Sequence, residues 1–278
     1  APHNMDFQIR FYDEKTNELF VTFYSYTISS LNYKLNITTG ANDIYFNAFI
    51  QPKPTLFPFN YFETKTITYK SRDNKDIPIV IIHKKGIELN GNNPTLLRAY
   101  GGFGSVSSPN YDTGLLHFLE KGGVYAFAQV RGGGEKGKNW HKEGKGLKKI
   151  NSINDFVDAA EFLIREKYTN PNKLAINGGS HGGLVVGAAM TQRPDLFKVV
   201  ISEMGRLDMA SLDKYTSGIH HFDEYGNPNN KEEFESMLSY SPYHTIKEDV
   251  NYPTCLIITS ENDDRVPPFQ SYKFAARL

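Results

Sequence analysis

A serine set among glycines is the residue best placed to do chemistry in this sequence. Residues 178–182 read Gly-Gly-Ser-His-Gly and fit the pattern G-x-S-x-G. An apolar run at residues 174–177 precedes the pattern and a run with helical spacing at residues 184–190 follows it, which predicts a strand, a sharp turn and a helix. Such a nucleophile elbow holds the serine hydroxyl clear of the sheet. The pattern therefore predicts Ser180 as a nucleophile; a tight turn with an incidental serine is the alternative.

The glycines of this pattern have a steric reason for their spacing. The residues two before and two after the serine of such a turn lie too close to neighbouring backbone to carry a side chain. We therefore expect Gly178 and Gly182 to be required at their positions.

Partners for the serine follow other predicted strands. The N–H of His181 points at the start of the predicted helix and can donate to an oxyanion, whereas its imidazole is no base for Ser180, because the turn directs adjacent side chains apart. Tyr100, Arg131 and Asp263 each come just after a predicted strand. Because ligands of parallel sheets bind beyond the carboxyl ends of the strands, we expect these side chains to share one rim with Ser180.

The elements that position this rim alternate between strand and helix. The alternation predicts an α/β domain with a mostly parallel, doubly wound sheet. A serine at 152 and an acid at 155 predict a capped helix start there. The predicted strands are residues 66–70, 77–84, 95–100, 123–130, 174–177, 199–203 and 254–259, and the predicted helices are residues 152–168, 184–190, 231–238 and 269–278.

The first 60 residues differ from the rest in pattern. Aromatic and β-branched residues predict strands at 19–26, 31–36 and 44–50, and three prolines between residues 52 and 58 then predict a linker. Three strands make a small sheet, so residues 1–60 are interpreted as the remnant of a larger β domain. The predicted boundary lies between residues 60 and 61.

Composition excludes several classes of function. The 31 basic and 31 acidic residues balance, which argues against nucleic acid or an anionic membrane as a partner, and residues 136–149 are interpreted as a solvated loop. No run reaches the length of a membrane span, and no His or Cys cluster has the spacing of metal ligands, so no metal or cofactor is expected. The single cysteine, Cys255, is expected to be a buried small hydrophobe. It favours a cytoplasmic location and leaves a periplasmic or secreted one open.

Several segments between residues 60 and 278 match the sequence motifs of one family and occur in the same order. They are residues 83–86, 99–103, 130–135 with 139–141, 176–180, 192–197, 214–216, 240–243 and 263–266. Together they resemble the prolyl oligopeptidase family of serine peptidases. The resemblance implies an α/β-hydrolase fold over residues 61–278, preceded by the last blade of a β-propeller. It also implies that the C-terminal part of the hydrolase domain is missing from this sequence.

The resemblance implies a role for each matching residue. Ser180 matches the nucleophile, the His181 N–H and the Tyr100 hydroxyl match the oxyanion donors, and Asp263 matches the acid that orients the catalytic imidazole. Arg265 matches the side chain that holds a substrate carbonyl. The residues that match the proline pocket are Phe103, Tyr225 and Val266. The alternatives are an ordinary strand-end aromatic for Tyr100, a helix cap for Asp263, a surface ion pair for Arg265 and core packing for the pocket residues.

The sequence departs from the family at two places. None of the eight histidines follows Asp263, although the family has its catalytic histidine a few tens of residues after the acid. We expect that histidine beyond Leu278 and expect the 278 residues alone to be nearly inert, because a serine without a general base is a weak nucleophile. His221, with Phe222 beside it, stands where the family has a tryptophan that stacks on proline. The only tryptophan, Trp140, is interpreted as part of a structural loop with His141.

The function implied is a serine endopeptidase that hydrolyses short peptides after proline through an acyl-enzyme. One alternative is an inactive fragment or degenerate homologue that binds peptides without cleaving them. Another is a related oligopeptidase that prefers a different residue at the P1 position of the substrate, such as a basic one. The sequence gives no oligomeric state.

Overall fold

The chain folds into two compact units. In the computed structural model, residues 5–44, 56–58 and 60–278 are described. The first unit comprises residues 1–65, 82–87 and 108–122, and the second comprises residues 66–81, 88–107 and 123–278. The domain boundary after residue 60 stays a prediction.

The first unit contains a four-stranded antiparallel sheet in the order β1-β2-β3-β4. Its strands are β1 Asp6–Asp13, β2 Glu18–Tyr24, β3 Leu31–Asn36 and β4 Asn42–Ile44. Strands β2 and β3 confirm the sequence prediction. Of the strand predicted at 44–50, only residue 44 lies within the described residues, at the end of β4. The prediction missed β1, although its apolar residues alternate with polar ones in the manner of a strand.

A helix missed by the sequence analysis also belongs to the first unit. Helix α1, Thr113–Glu120, begins after Asp112, whose carboxylate accepts hydrogen bonds from the N–H groups of Gly114 at 2.7 Å and Leu115 at 3.3 Å. This is the usual cap of a helix N-terminus, which satisfies backbone donors that have no partner within the helix. The acid at position 112, followed by a short apolar run, therefore indicates the start of this helix in the sequence.

A second sheet has seven strands in the order β11-β10-β9-β7-β8-β6-β5. The strands are β5 Phe62–Lys70, β6 Asp76–Lys84, β7 Thr95–Ala99, β8 Val124–Ala128, β9 Leu174–Gly179, β10 Val199–Glu203 and β11 Thr254–Ile258. The pairs β7–β8, β7–β9, β9–β10 and β10–β11 are parallel. All seven strands were predicted from sequence, and the parallel ladder brings the carboxyl ends of β7, β9, β10 and β11 to one edge.

The helices of the second unit follow these strands. They are α2 Lys138–Lys142, α3 Ile150–Arg165, α4 His181–Gln192, α5 Thr216–Ile219, α6 Phe222–Tyr225, α7 Lys231–Tyr240, α8 Pro242–Thr245 and α9 Phe269–Arg277, with 3₁₀ turns at Gly146–Lys148, Pro194–Leu196 and Met209–Lys214. Helices α3, α4, α7 and α9 confirm the predictions with small shifts of their ends. The four missed helices, α2, α5, α6 and α8, have only four or five residues, too few to show a helical period.

The core of the second unit lies along the sheet and behind helix α4. Every residue of β8 is buried, as the nearly continuous apolar run of this strand predicts. Eleven of the twelve residues of α4 are buried, and its small residues allow it to lie close to β9 and β10. A further apolar cluster beneath α4 includes Leu184, Met209, Tyr225 and Tyr240. This cluster supports the loops that carry the candidate site.

The predicted cap of helix α3 is wrong. The helix begins at Ile150, and Ser152 lies inside it, where its hydroxyl donates to the carbonyl of Arg131 at 2.5 Å. The carboxylate of Asp155 accepts from Arg131 Nε at 2.9 Å and Nη2 at 2.6 Å. Both side chains bind the loop after β8 instead of the helix start. Arg131, only 2% exposed and also paired with Asp73, therefore has a structural role.

Two further expectations about burial need correction. Residues 136–149 are not wholly a solvated loop, because Lys149 is 0% exposed and forms an ion pair with buried Glu224. Cys255 is half-buried on β11 and not fully enclosed. Burial nevertheless raises the pKa of its thiol to about 11.

Candidate active site

Ser180 lies on the turn between β9 and α4 in a strained backbone conformation. Its φ of +54° and ψ of −116° fall where residues other than glycine are rarely found. The turn is held on both sides, since the Ser180 N–H donates to the carbonyl of Glu203 at 2.8 Å and the Gly183 N–H donates to the carbonyl of Ser180 at 3.0 Å. This is the geometry that the nucleophile elbow requires.

The glycines flanking the turn are required by contact. A Cβ on Gly178 would overlap the carbonyl of Gly182, and a Cβ on Gly182 would lie 2.7 Å from the carbonyl oxygen of Ala99. Real Cβ atoms essentially never come so close to backbone. The steric expectation from the sequence is confirmed at both positions.

A cavity of about 310 Å³ opens beside Ser180. The residues that line it come from the loops after β7, β9, β10 and β11 and from the region of α5, and they are Tyr100, Phe103, Ser180, Arg206, Ser217, His220, His221 and Arg265. The structure thus brings together Ser180, Tyr100, Phe103, His221 and Arg265 from the set selected in the sequence. The residues of that set that do not line the cavity are His181, Tyr225, Asp263, Val266 and also Arg131, which was expected on the same rim.

His181 is buried behind the nucleophile, with 0% exposure. Its Nε2 lies 2.9 Å from the carbonyl oxygen of Gly101, and its Nδ1 lies 2.9 Å from the hydroxyl oxygen of Tyr225. A carbonyl can only accept, so Nε2 carries the proton and Nδ1 accepts from the Tyr225 hydroxyl. Burial holds the pKa of His181 well below its ordinary value, so the imidazole stays neutral. Its ring supports the site, and its backbone N–H remains the candidate oxyanion donor.

Tyr100 follows β7 directly and is half-buried beside the cavity. Its ring meets the edge of the His181 ring at a centroid distance of 5.6 Å. Burial, reinforced by the nearby Glu224 carboxylate, raises the pKa of Tyr100 above its ordinary value. The phenol therefore keeps its proton at neutral pH and is able to donate a hydrogen bond.

The loop after β7 leaves no room for a side chain beside His181. A Cβ on Gly102 would lie 2.5 Å from Cδ2 of the His181 ring. Gly101 has a φ of +68°, a conformation that favours glycine, and its carbonyl receives the imidazole N–H. Gly102 is therefore explained by the His181 ring, and Gly101 by its positive φ and by a contact of 2.3 Å that a Cβ would make with the Val130 side chain.

Aromatic rings form one side of the cavity. The Phe103 ring lies 5.0 Å from the His221 ring and 5.7 Å from the Tyr225 ring, in edge-to-face arrangements. Phe103 and His221 line the cavity, whereas Tyr225 and Val266 are 0% and 2% exposed and pack behind it. Tyr225 belongs to the apolar cluster under α4, which places it as support for Phe103.

Asp263 organises the loop after β11. Its Oδ1 accepts hydrogen bonds from the N–H groups of Arg265 and Val266, both at 2.9 Å. It is not among the residues that line the cavity. Within the described residues its Oδ2 has no hydrogen bond. The assignment of Asp263 as the orienting acid stays a prediction.

Arg206 lines the cavity and was missed by the sequence analysis. It is 3% exposed; its Nη1 donates to the Tyr215 hydroxyl at 2.7 Å, and its Nη2 donates to Nδ1 of His221 at 3.0 Å. Burial, followed by the Arg206 charge, lowers the pKa of His221 below its ordinary value. Arg206 follows β10 closely, so the rule that ligands bind beyond strand ends would have selected it.

A buried ion cluster holds helix α6 against the cavity. Glu224 is bound by the Lys149 ammonium through Oε1 and by His141 Nε2 through Oε2, the latter at 2.7 Å. Lys149 Nζ also lies 5.5 Å from the centre of the Tyr225 ring. Burial lowers the pKa of Lys149 to about 8, against the opposing effect of Glu224. The cluster includes His141, which the sequence analysis interpreted as structural, and joins it to helix α6.

The described residues contain neither a membrane-spanning helix nor a cluster of metal ligands. None of their helices combines the length and the apolar character needed to cross a bilayer. Across residues 5–44, 56–58 and 60–278, no group of three or more His, Cys, Asp or Glu side chains is arranged to hold a metal ion.

The mostly parallel sheet with a serine on its strand–turn–helix elbow is an α/β-hydrolase fold. The sequence profile described as "Prolyl oligopeptidase family" matches residues 109–278. The chain therefore belongs to the prolyl oligopeptidase family, and the resemblance found in the sequence is confirmed.

Named relatives agree with this assignment. The prolyl endopeptidase of Elizabethkingia meningoseptica is 42% identical over 267 residues, which cover 95% of this chain and 37% of that relative. The prolyl endopeptidase of Dictyostelium discoideum is 38% identical over 269 residues, which cover 95% of this chain and 35% of that protein. The chain thus spans less than two-fifths of the length of either relative.

A solved structure shows the same architecture. Prolyl oligopeptidase B from Galerina marginata, bound to a 35mer hydrolysis and macrocyclization substrate, superposes with a TM-score of 0.91 at 32% identity. The match covers 100% of this chain and 39% of that one. Neighbours of this kind combine a β-propeller with an α/β hydrolase, which supports the interpretation of the four-stranded sheet as part of a propeller blade.

Proposed function

We propose that the protein is a serine endopeptidase that hydrolyses short peptides after proline through an acyl-enzyme intermediate. One observation carries the proposal: Ser180 lies on a strained turn and opens into a cavity that it shares with the Tyr100 phenol. The names of the relatives, prolyl endopeptidases, supply the substrate class.

The mechanism follows the positions of the donors. The Ser180 hydroxyl attacks the carbonyl carbon of the peptide bond and gives its proton to an imidazole, for which Asp263 is the proposed orienting acid. The carbonyl oxygen becomes an oxyanion that accepts from the His181 N–H and the Tyr100 hydroxyl, each worth about 3–4 kcal/mol in such sites. The imidazole passes the proton to the amine, which leaves. Water then attacks the acyl-enzyme with the imidazole as the base, and Ser180 leaves with its proton restored.

The proposed proline subsite is the aromatic side of the cavity. The Phe103 and His221 rings meet edge to face, with 5.0 Å between their centres. Together they offer an aromatic edge and an aromatic face to a ring of the substrate. Arg265 is exposed at the mouth and is proposed to donate to a peptide carbonyl. Because His221 replaces the tryptophan of the family, proline preference rests on a smaller and more polar surface.

A second candidate function is peptide binding without cleavage. It is favoured by His221 at the tryptophan position. A cytoplasmic location is also proposed, on the basis of the single cysteine.

The experiment that separates the two functions uses the full-length protein. A fluorophosphonate probe should label Ser180, and a blocked glycyl-prolyl fluorogenic amide should be hydrolysed; Ser180→Ala should abolish both signals. If the folded wild-type protein shows no labelling and no turnover, the peptidase proposal is rejected. Turnover that survives Ser180→Ala would reject Ser180 as the nucleophile.

A further inference from the structure

Arg206 is a buried cation in the wall of the cavity. Its guanidinium donates to the Tyr215 hydroxyl, to Nδ1 of His221 and, at 3.4 Å, to the carbonyl of Arg265, which are all neutral acceptors. Among the residues that the structure describes, no carboxylate forms an ion pair with it. Its Nε is buried and has no hydrogen-bond partner there.

Such an arrangement is costly unless a ligand completes it. A charge removed from water is stabilised only by a paired opposite charge and by full use of its hydrogen bonds. Arginine matches a carboxylate with particular geometry, because its planar fork donates two parallel hydrogen bonds. A ligand carboxylate therefore supplies what the surroundings of Arg206 lack.

The other charged side chain that lines the cavity is also a cation. It is Arg265, and among the described residues that line the cavity none is acidic. The nearby Glu224 is 3% exposed and is already bound by Lys149 and His141. The cavity beside Ser180 thus has two cations, Arg206 and Arg265, and no anion among its described lining residues.

We propose that Arg206 makes this cavity a site for a substrate carboxylate beside Ser180, in addition to proline. The carboxylate comes from an acidic P1 side chain or from a free C-terminus of the peptide. The inference rests on the proposed peptidase function for its connection with cleavage. A basic P1 residue is disfavoured, since it would meet the like charges of Arg206 and Arg265.

The first test measures binding and needs no turnover. The full-length Ser180→Ala protein is titrated with three peptides of identical length that end in a Glu amide, a Gln amide or a Gln free acid. Binding of the Glu amide about 10- to 100-fold tighter than the Gln amide identifies an acidic side chain, because charged hydrogen bonds differ from neutral ones by roughly that ratio. The same gain for the Gln acid identifies the terminal carboxylate. Equal affinity for all three peptides overturns the proposal.

The second test assigns the effect to Arg206. Arg206→Met should remove the preference for the carboxylate peptide, and Arg206→Lys should keep part of it because the charge remains. Arg165→Met is the matched control, since this arginine is 64% exposed on its side chain and lies outside the cavity. A preference that survives in a folded Arg206→Met protein overturns the role of Arg206. If Arg206→Met does not fold, the peptide comparison in the parent protein still decides whether the site takes a carboxylate.

Failure of this inference is distinguishable from failure of the proposed function. Turnover of the prolyl substrate together with equal affinities for the three peptides retains the peptidase and rejects the carboxylate site. Tight binding of a carboxylate peptide without labelling of Ser180 retains the site and rejects the peptidase.

Discussion

The hydroxyl of Tyr225 donates to Nδ1 of His181 at 2.9 Å, and both side chains are completely buried. This bond joins the residue after the nucleophile to helix α6, which begins directly after His221 in the wall of the cavity. The stacked rings lie 5.5 Å apart, so packing and hydrogen bonding act on the same pair.

Loss of the Tyr225 hydroxyl should destabilise the protein. Tyr225→Phe leaves Nδ1 of His181 buried without a donor, which costs about 1–3 kcal/mol of unfolding free energy. Urea denaturation followed by far-UV circular dichroism measures the change. Tyr272→Phe is the control, because that ring is 57% exposed, and its stability should be unchanged. Equal stability of the two variants would contradict the importance of this bond.

The buried neutral His181 predicts a pH dependence of stability. Its native pKa lies well below the ordinary value of 6.5, so below pH 6.5 the unfolded chain binds a proton that the native protein does not. The unfolding free energy is therefore fully present above pH 6.5 and falls at lower pH, by at most about 1.4 kcal/mol per pH unit from this group. His181→Asn should show a shallower fall between pH 6.5 and 5 in parallel urea titrations. Identical slopes for both proteins would exclude His181 as the source.

Tyr100 is expected to act on the transition state and not on substrate affinity. Tyr100→Phe in the full-length protein should lower kcat about 10²–10³-fold and leave KM nearly unchanged, because an oxyanion donor acts only when the charge develops. The kcat and KM for a prolyl amide are measured for the wild-type protein and for Tyr100→Phe. Tyr272→Phe again serves as the control. A change confined to KM would place Tyr100 in ground-state binding instead.

The elbow glycines predict unequal effects of one added methyl group. Gly178→Ala forces a Cβ onto the Gly182 carbonyl and should cost at least about 1–3 kcal/mol of stability, with loss of fluorophosphonate labelling. The adjacent Gly179→Ala places its Cβ at an ordinary contact distance of 3.6 Å from the Glu203 carbonyl oxygen. Thermal unfolding should therefore show a large fall for the first variant and a small one for the second.

The buried pair of Lys149 and Glu224 should be sensitive to removal of one partner. Lys149→Met leaves a carboxylate that is bound by His141 alone, and breaking such a pair costs about 3–5 kcal/mol. The double variant Lys149→Met with Glu224→Gln removes both charges and should recover part of the loss, which a double-mutant cycle measures. If the double variant is as unstable as the sum of the single ones, the two groups are not coupled.

The sequence allowed the parallel sheet and the elbow to be predicted because both leave strong local patterns. The apolar run of β8 and the glycines around Ser180 report burial and steric contact directly. Arg206 has no such pattern; its burial depends on contacts with Tyr215 and His221 that form only in the folded chain. The same holds for Lys149, whose partner lies 75 positions away. Tertiary contacts of buried charged side chains are therefore what local sequence patterns do not reveal.

The cap predicted for helix α3 failed for a related reason. Ser152 and Asp155 have the types and spacing of a capping pair, but tertiary hydrogen bonds to the loop of Arg131 are available to them. Both side chains therefore form their hydrogen bonds with Arg131, and the start of helix α3 has no side-chain cap.

The imidazole of His181 occupies the notch left by Gly102 and is bound to the carbonyl of Gly101. The segment that bears Tyr100 is thereby locked to the segment that bears Ser180, although 80 positions separate the bonded residues. The backbone beside both proposed oxyanion donors is therefore held by contacts within the protein itself, before any peptide binds.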